Sequence, residues 1–108
     1  MSEKIKLVQG DNLPYIRLNL TNADGTALDV SGGVVKVYFR AAGTTVILTT
    51  LQCQFVTDGS DGVVQFNFPG DTLNVPAGSY EGEVEVDLGG NIQTIYDILK
   101  FSVRAQFA

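Results

Sequence analysis

Hydrophobic and polar residues alternate one for one along most of this chain. Late in the sequence Glu81, Glu83, Glu85 and Asp87 trade places with Gly82, Val84, Val86 and Leu88. A period of two belongs to a half-buried β-strand, whose side chains point to opposite faces in turn, and not to a helix. The same alternation sets Val35, Val37 and Phe39 against Lys36, Tyr38 and Arg40, and Ile16, Leu18 and Leu20 against Tyr15, Arg17 and Asn19. It recurs at the end, with Phe101, Val103, Ala105 and Phe107 on one side and Lys100, Ser102, Arg104 and Gln106 on the other.

Shorter runs complete the series. Residues 5–8 read as a first strand, and Pro14 suits the first residue of the next, where no central ladder bond is needed. The β-branched stretch 45–50 leads into Leu51, Cys53 and Phe55, followed by Val64, Phe66 and Phe68. Turn residues separate the runs: Asn22-Ala23-Asp24-Gly25, Asp58-Gly59-Ser60-Asp61-Gly62 and Gly89-Gly90-Asn91. Residues 71–78 lack clean alternation, and Leu73 and Val75 there are expected to plug an open end of the core. Tyr80, after Pro76-Ala77-Gly78-Ser79, has the setting of a tyrosine corner, where the phenol ties down the loop beneath it. The phase breaks at Asp97-Ile98, which predicts a bulge or bend. Roughly seven or eight strands with turns between them, and no helical stretch, predict one all-β domain over residues 1–108, a two-sheet sandwich.

Charge narrows the possible partners. Twelve acidic residues against seven basic ones give a net charge of −5, and such a surface repels phosphate backbones, so nucleic acid is not an expected partner. No apolar run reaches membrane-spanning length, and Met1-Ser2-Glu3-Lys4 leads straight into a strand with no signal peptide, so no membrane role and synthesis in a cytoplasm are expected.

Chemistry is sparse. With no histidine, a histidine-assisted serine or cysteine nucleophile is excluded, and so are the usual zinc sites, given the single Cys53. Cys53 falls on the apolar phase and reads as a small core residue. The row Glu81, Glu83, Glu85 and Asp87 places carboxylates about 6.5–7 Å apart along one face, a spacing glycosidases use. Nothing in the sequence buries one of them, so the row reads as a solvated face with Lys36, Lys100 or Arg104 across from it. Asp58-Gly59-Ser60-Asp61-Gly62 reads as a turn and not as a calcium loop, which needs a longer acidic series ending in glutamate. No catalytic, cofactor-binding or metal-binding residue is expected, and no enzyme.

Surface remains. Val34, Tyr38, Ile47, Val56 and Val63 fall on the outward phase, as do Tyr15 and Ile95, and grouped together they would mark a protein–protein interface. The residues expected to dock a partner are Tyr15, Tyr38 and Ile47, together with Lys4 and Lys6 on an N-terminal strand able to pair with a partner's sheet edge.

Five stretches in order resemble one family: Leu7-Val8-Gln9-Gly10-Asp11; Leu28-Asp29-Val30-Ser31-Gly32 ahead of Val35-Lys36-Val37-Tyr38-Phe39-Arg40; residues 75–85; Gln93-Thr94-Ile95-Tyr96-Asp97; and Leu99-Lys100-Phe101-Ser102-Val103. Their order and spacing are similar to the immunoglobulin-like domain at the N-terminus of tailed-phage baseplate upper proteins, found also as short stand-alone phage and prophage proteins. The resemblance implies an immunoglobulin-like two-sheet antiparallel β-sandwich that forms a structural part of the virion and docks on other virion proteins in multiple symmetric copies. It implies no catalytic residues. The longer relatives carry receptor-binding regions after this domain, whereas this sequence stops as the sandwich closes, so docking and not host recognition is the expected role. Tail or baseplate attachment is the first expectation and outer-capsid decoration the second. A carbohydrate-binding module is a third reading, with Tyr15 and Tyr38 as its aromatic platforms.

Overall fold

The computed structural model describes residues 4–95 and 98–107. Among them nine strands form two facing sheets and there is no helix. The larger sheet runs β1 (Lys4–Val8), β9 (Leu99–Arg104), β7 (Gly78–Leu88), β3 (Val34–Ala41), β4 (Thr49–Gln52), with β8 (Asn91–Thr94) also on β7. The smaller sheet runs β2 (Ile16–Asn19), β6 (Val63–Phe66), β5 (Gln54–Phe55). The chain is thus an all-β two-sheet sandwich.

The strand count exceeds the sequence expectation for two physical reasons. The run 49–55 changes sheets at Cys53, which divides it into β4 and β5. The return after Gly89-Gly90 divides into β8 and β9, both against the same side of β7. Glu85 pairs with Thr94 and Gly82 with Leu99, so three steps along β7 match five along the return. The bulge expected at Asp97-Ile98 falls in this interval, where Tyr96 and Asp97 lie outside the described residues. The hairpin itself closes with Leu88 opposite Asn91, and both glycines of its two-residue loop have positive φ, the requirement of a type I′ turn.

The pairing is antiparallel with one exception, since β1 runs parallel to β9. Parallel partners need a long connection, and here almost the whole chain lies between them.

Alternation built the core as expected. Val35, Val37 and Phe39 of β3, Val84 and Val86 of β7, and Phe101 and Val103 of β9 are buried against Val64 and Phe66 of β6. Phe39 and Phe101 from the larger sheet meet Phe66 of β6 and Phe68 in the segment just after it. Phe39 stands edge-on to Phe68 at 5.0 Å and to Phe101 at 5.3 Å between centroids. Such edge-to-face pairs add about 0.5–1.5 kcal/mol each beyond area burial. Leu73 is buried as the expected plug, and its carbonyl accepts from the Gly10 amide; Val75 is half-buried. Tyr80 forms the expected corner, its hydroxyl donating to the Pro76 carbonyl.

Four details depart from the sequence reading. Pro14 and Tyr15 precede β2 and are not its first residues. Residues 44–48 form a loop despite their β-branched content, rejoining β3 where the Leu48 amide donates to the Phe39 carbonyl. Ala105 and Phe107 do not continue inward: β1 and β7 offer no partner beyond Arg104, and Phe107 is almost fully exposed with Arg104 over its ring. Ile95 is half-buried against the core: Thr94 lies opposite the outward Glu85, so the next residue, its amide bonded to the Val84 carbonyl, turns inward.

Candidate docking surfaces

The outer face of the larger sheet carries the charge. Across from β7, Arg40 lies opposite Glu81, Tyr38 opposite Glu83, Lys36 opposite Glu85 and Val34 opposite Asp87. Arg40 Nε sits 3.2 Å from Glu81 Oε1 with both side chains partly exposed, a pair worth about 0–1 kcal/mol. Tyr38 donates diagonally to Glu85 Oε1 at 3.0 Å. That bond, reinforced by burial and by the charges of Glu85 and Glu83, raises the phenol above its ordinary value of 10.0. The acidic row is therefore bridged by β3 and solvated, as its sequence context implied. Of the expected cross-strand cations, Lys36 faces Glu85 and Lys100 faces Glu81, whereas Arg104 lies opposite Val8.

Tyr38 and Ile47 come together. With Arg40, Glu81, Glu83 and Ile98 they border a depression of about 40 Å³, room for one or two waters and no organic ligand. Beside it the loop before β4 exposes Val46, Ile47 and Leu48 by 67%, 45% and 49%. Lys4 and Lys6 stand at the far edge of the same sheet, and Tyr15 belongs to neither place, preceding β2 of the smaller sheet. Tyr15 and Tyr38 thus do not form one aromatic platform. Of the other residues read as outward, Val34 and Val56 are exposed and Val63 is half-buried.

The edge around Lys4 and Lys6 is richer than the sequence suggested. In β1, Lys4 pairs with Lys100 and Lys6 with Ser102, which puts Lys4, Lys6, Lys100 and Arg104 on one face. Four of the seven basic residues of a chain with net charge −5 therefore line β1 and its neighbour β9. A groove of about 250 Å³ runs there past Lys6, Val8, Ser102 and Arg104. Lys4 also donates to Ser79 Oγ at 3.2 Å. Alternation alone set Lys100 and Arg104 outward. Their grouping with Lys4 and Lys6 depends on the parallel β1–β9 pairing, which no local signal announces.

Reactive groups are tied into the fold. Cys53 is buried and desolvation pushes its thiol up to about 12, which makes it an inert core residue. In the loop 58–62, Asp58 accepts from both the amide and the hydroxyl of Ser60, at 3.0 and 2.6 Å, as a turn-forming aspartate does. A cleft of about 520 Å³ opens between β2 and β8, walled by Arg17, Leu18, Leu20, Val84, Ile95 and Leu99. Its walls bring no carboxylate and no thiol, so it holds no acid–base pair among the described residues.

No protein-family model matches the chain, and a search of the curated proteins finds no match.

Proposed function

We propose that this protein is a non-enzymatic, immunoglobulin-like docking module of a tailed-phage virion, attached at the tail or baseplate in multiple symmetric copies through its β1 edge. The observation that carries the docking reading is the basic strip of Lys4, Lys6, Lys100 and Arg104 along a sheet edge of an otherwise acidic chain. Unpaired backbone groups on β1 offer a partner strand its hydrogen bonds, and the four cations select an acidic partner edge and steer it there. Each copy needs only a modest contact, because symmetric repetition supplies avidity.

The virion assignment rests on the sequence resemblance, and the topology supports its immunoglobulin-like part. A three-stranded sheet of second, sixth and fifth strands faces one in which seventh and third strands are neighbours, the arrangement of the B-E-D and G-F-C strands of that fold. A tyrosine corner at the start of β7 occupies the corresponding place.

Cryo-electron microscopy of the particle, with focused classification of head and tail, tests the reading. The expected result is sandwich-shaped density at the tail or baseplate with β1 against its neighbour. Density on the capsid lattice would replace the tail assignment by decoration, and absence from the particle would overturn the virion role.

A further inference from the structure

The sheet edge opposite β1 is built differently, and it fits a second copy of this chain. Residues 44–54, which contain β4 and the loop before it, hold no charge, no glycine and no proline, and six of the eleven are β-branched. Uncharged sequence in fact extends from residue 41 to residue 57. An edge strand ordinarily carries lysine, proline or a bulge turned toward solvent to prevent pairing with another chain. On β1 the like charges of Lys4 and Lys6 oppose pairing with a second copy of the same edge, and Arg17 does so on β2, whereas β4 has no such guard. β8 is also uncharged, but Ile92 is its one apolar side chain and two glycines flank it.

Backbone parity shows what β4 offers. The Cys53 amide bonds to the Val35 carbonyl, so Leu51, two residues earlier, also directs its N–H and C=O toward β3. Thr50 and Gln52 then direct theirs away, toward the open side. Their side chains are exposed, and Val46, Ile47 and Leu48 extend the edge with exposed apolar surface.

We infer that two copies of the protein pair β4 to β4 in antiparallel fashion, joining the two larger sheets across a two-fold axis. In such an isologous contact the edge meets its own sequence. A charged edge would oppose itself there, but this one brings no like charges together and buries its apolar loop residues. An edge built to select a different chain would carry charges for that purpose, and on this molecule those lie on the opposite side, at β1. Centred on Leu51, the pairing exchanges N–H···O=C bonds between Thr50 of one copy and Gln52 of the other, twice. The inference does not depend on where, or whether, the module docks on a particle.

Sedimentation equilibrium of the purified protein from about 1 µM to about 1 mM is the test, a range that covers contacts at the small end of interface size. The expected mass rises with concentration from 11.6 kDa to twice that value. Because the edge is uncharged, raising the salt should not weaken the association. Thr50→Pro removes an outward N–H and no bond to β3, and should weaken dimerisation at least about tenfold while Thr50→Ala does not. Ile47→Lys, at an exposed loop position, should do the same and decides the matter if the proline variant fails to fold. A monomer at every concentration would overturn the inference. So would open-ended assemblies in place of a dimer, or a dimer that survives both Thr50→Pro and Ile47→Lys. Association abolished by Lys6→Glu and by high salt would place the contact at β1 instead.

Discussion

Tyr80 donates its phenol hydrogen to the Pro76 carbonyl while its ring lies against Phe39, with centroids 5.1 Å apart and planes 12° from parallel. One side chain thus fixes the entry to β7 and packs into the aromatic core. Tyr80→Phe keeps the ring contact and loses only the hydrogen bond. It should destabilise the fold by about 1–2 kcal/mol. The check is urea unfolding, supported by a fall in melting temperature of about 4–8 °C per kcal/mol for a domain of this size.

Gly62 is held at φ +72, and a Cβ there would stand 2.4 Å from the Leu20 carbonyl oxygen and 2.9 Å from that of Leu28. The Leu20 amide in turn donates to the Gly62 carbonyl. Neither the positive φ nor the backbone crowding can be relieved by a rotamer change. Gly62→Ala should therefore cost more than about 2 kcal/mol. Gly43→Ala, at φ +78 but in open space, bears the strain alone and should cost less. Thermal melts of the two variants side by side distinguish crowding from strain.

Four turn aspartates share one device. Asp24, Asp29 and Asp58 accept bonds from the hydroxyl and amide of Thr26, Ser31 and Ser60, and Asp61 from the Val63 amide and the Thr57 hydroxyl. These bonds hold each carboxyl below its ordinary value of 3.8. A carboxyl lowered in the folded state binds its proton more readily when unfolded. Its contribution is present above the ordinary value and is lost as the pH falls through the lower folded value. The melting temperature should thus hold near neutrality and decline below about pH 4. With Asp24, Asp29, Asp58 and Asp61 all changed to asparagine, that acid limb should flatten.

Local periodicity makes the core legible in the sequence. Val35, Val37 and Phe39, then Val84 and Val86, follow a strict period of two and are buried together. The Tyr80 corner and the Gly89-Gly90 hairpin were legible because one residue type answers one backbone demand. What stayed hidden was non-local. Nothing in Lys4-Ile5-Lys6 says that its neighbour is β9 or that the pair is parallel, so the basic strip could not be assembled from sequence. Ala105 and Phe107 continue the alternation of β9, yet strand structure ends where both neighbouring strands run out. Residues 44–48 have strong β-propensity and no second strand beside them, so propensity alone misread a loop.

In the proposed role this chain is a stoichiometric part of a virion, held by its basic edge. Quantitative mass spectrometry of gradient-purified particles tests it most directly. The expected result is a fixed copy number in symmetric proportion to the tail proteins, lost when Lys4, Lys6 and Arg104 are changed to glutamate in a protein that still folds. Absence of the wild-type chain from purified particles, or incorporation unchanged by the three glutamates, would contradict it.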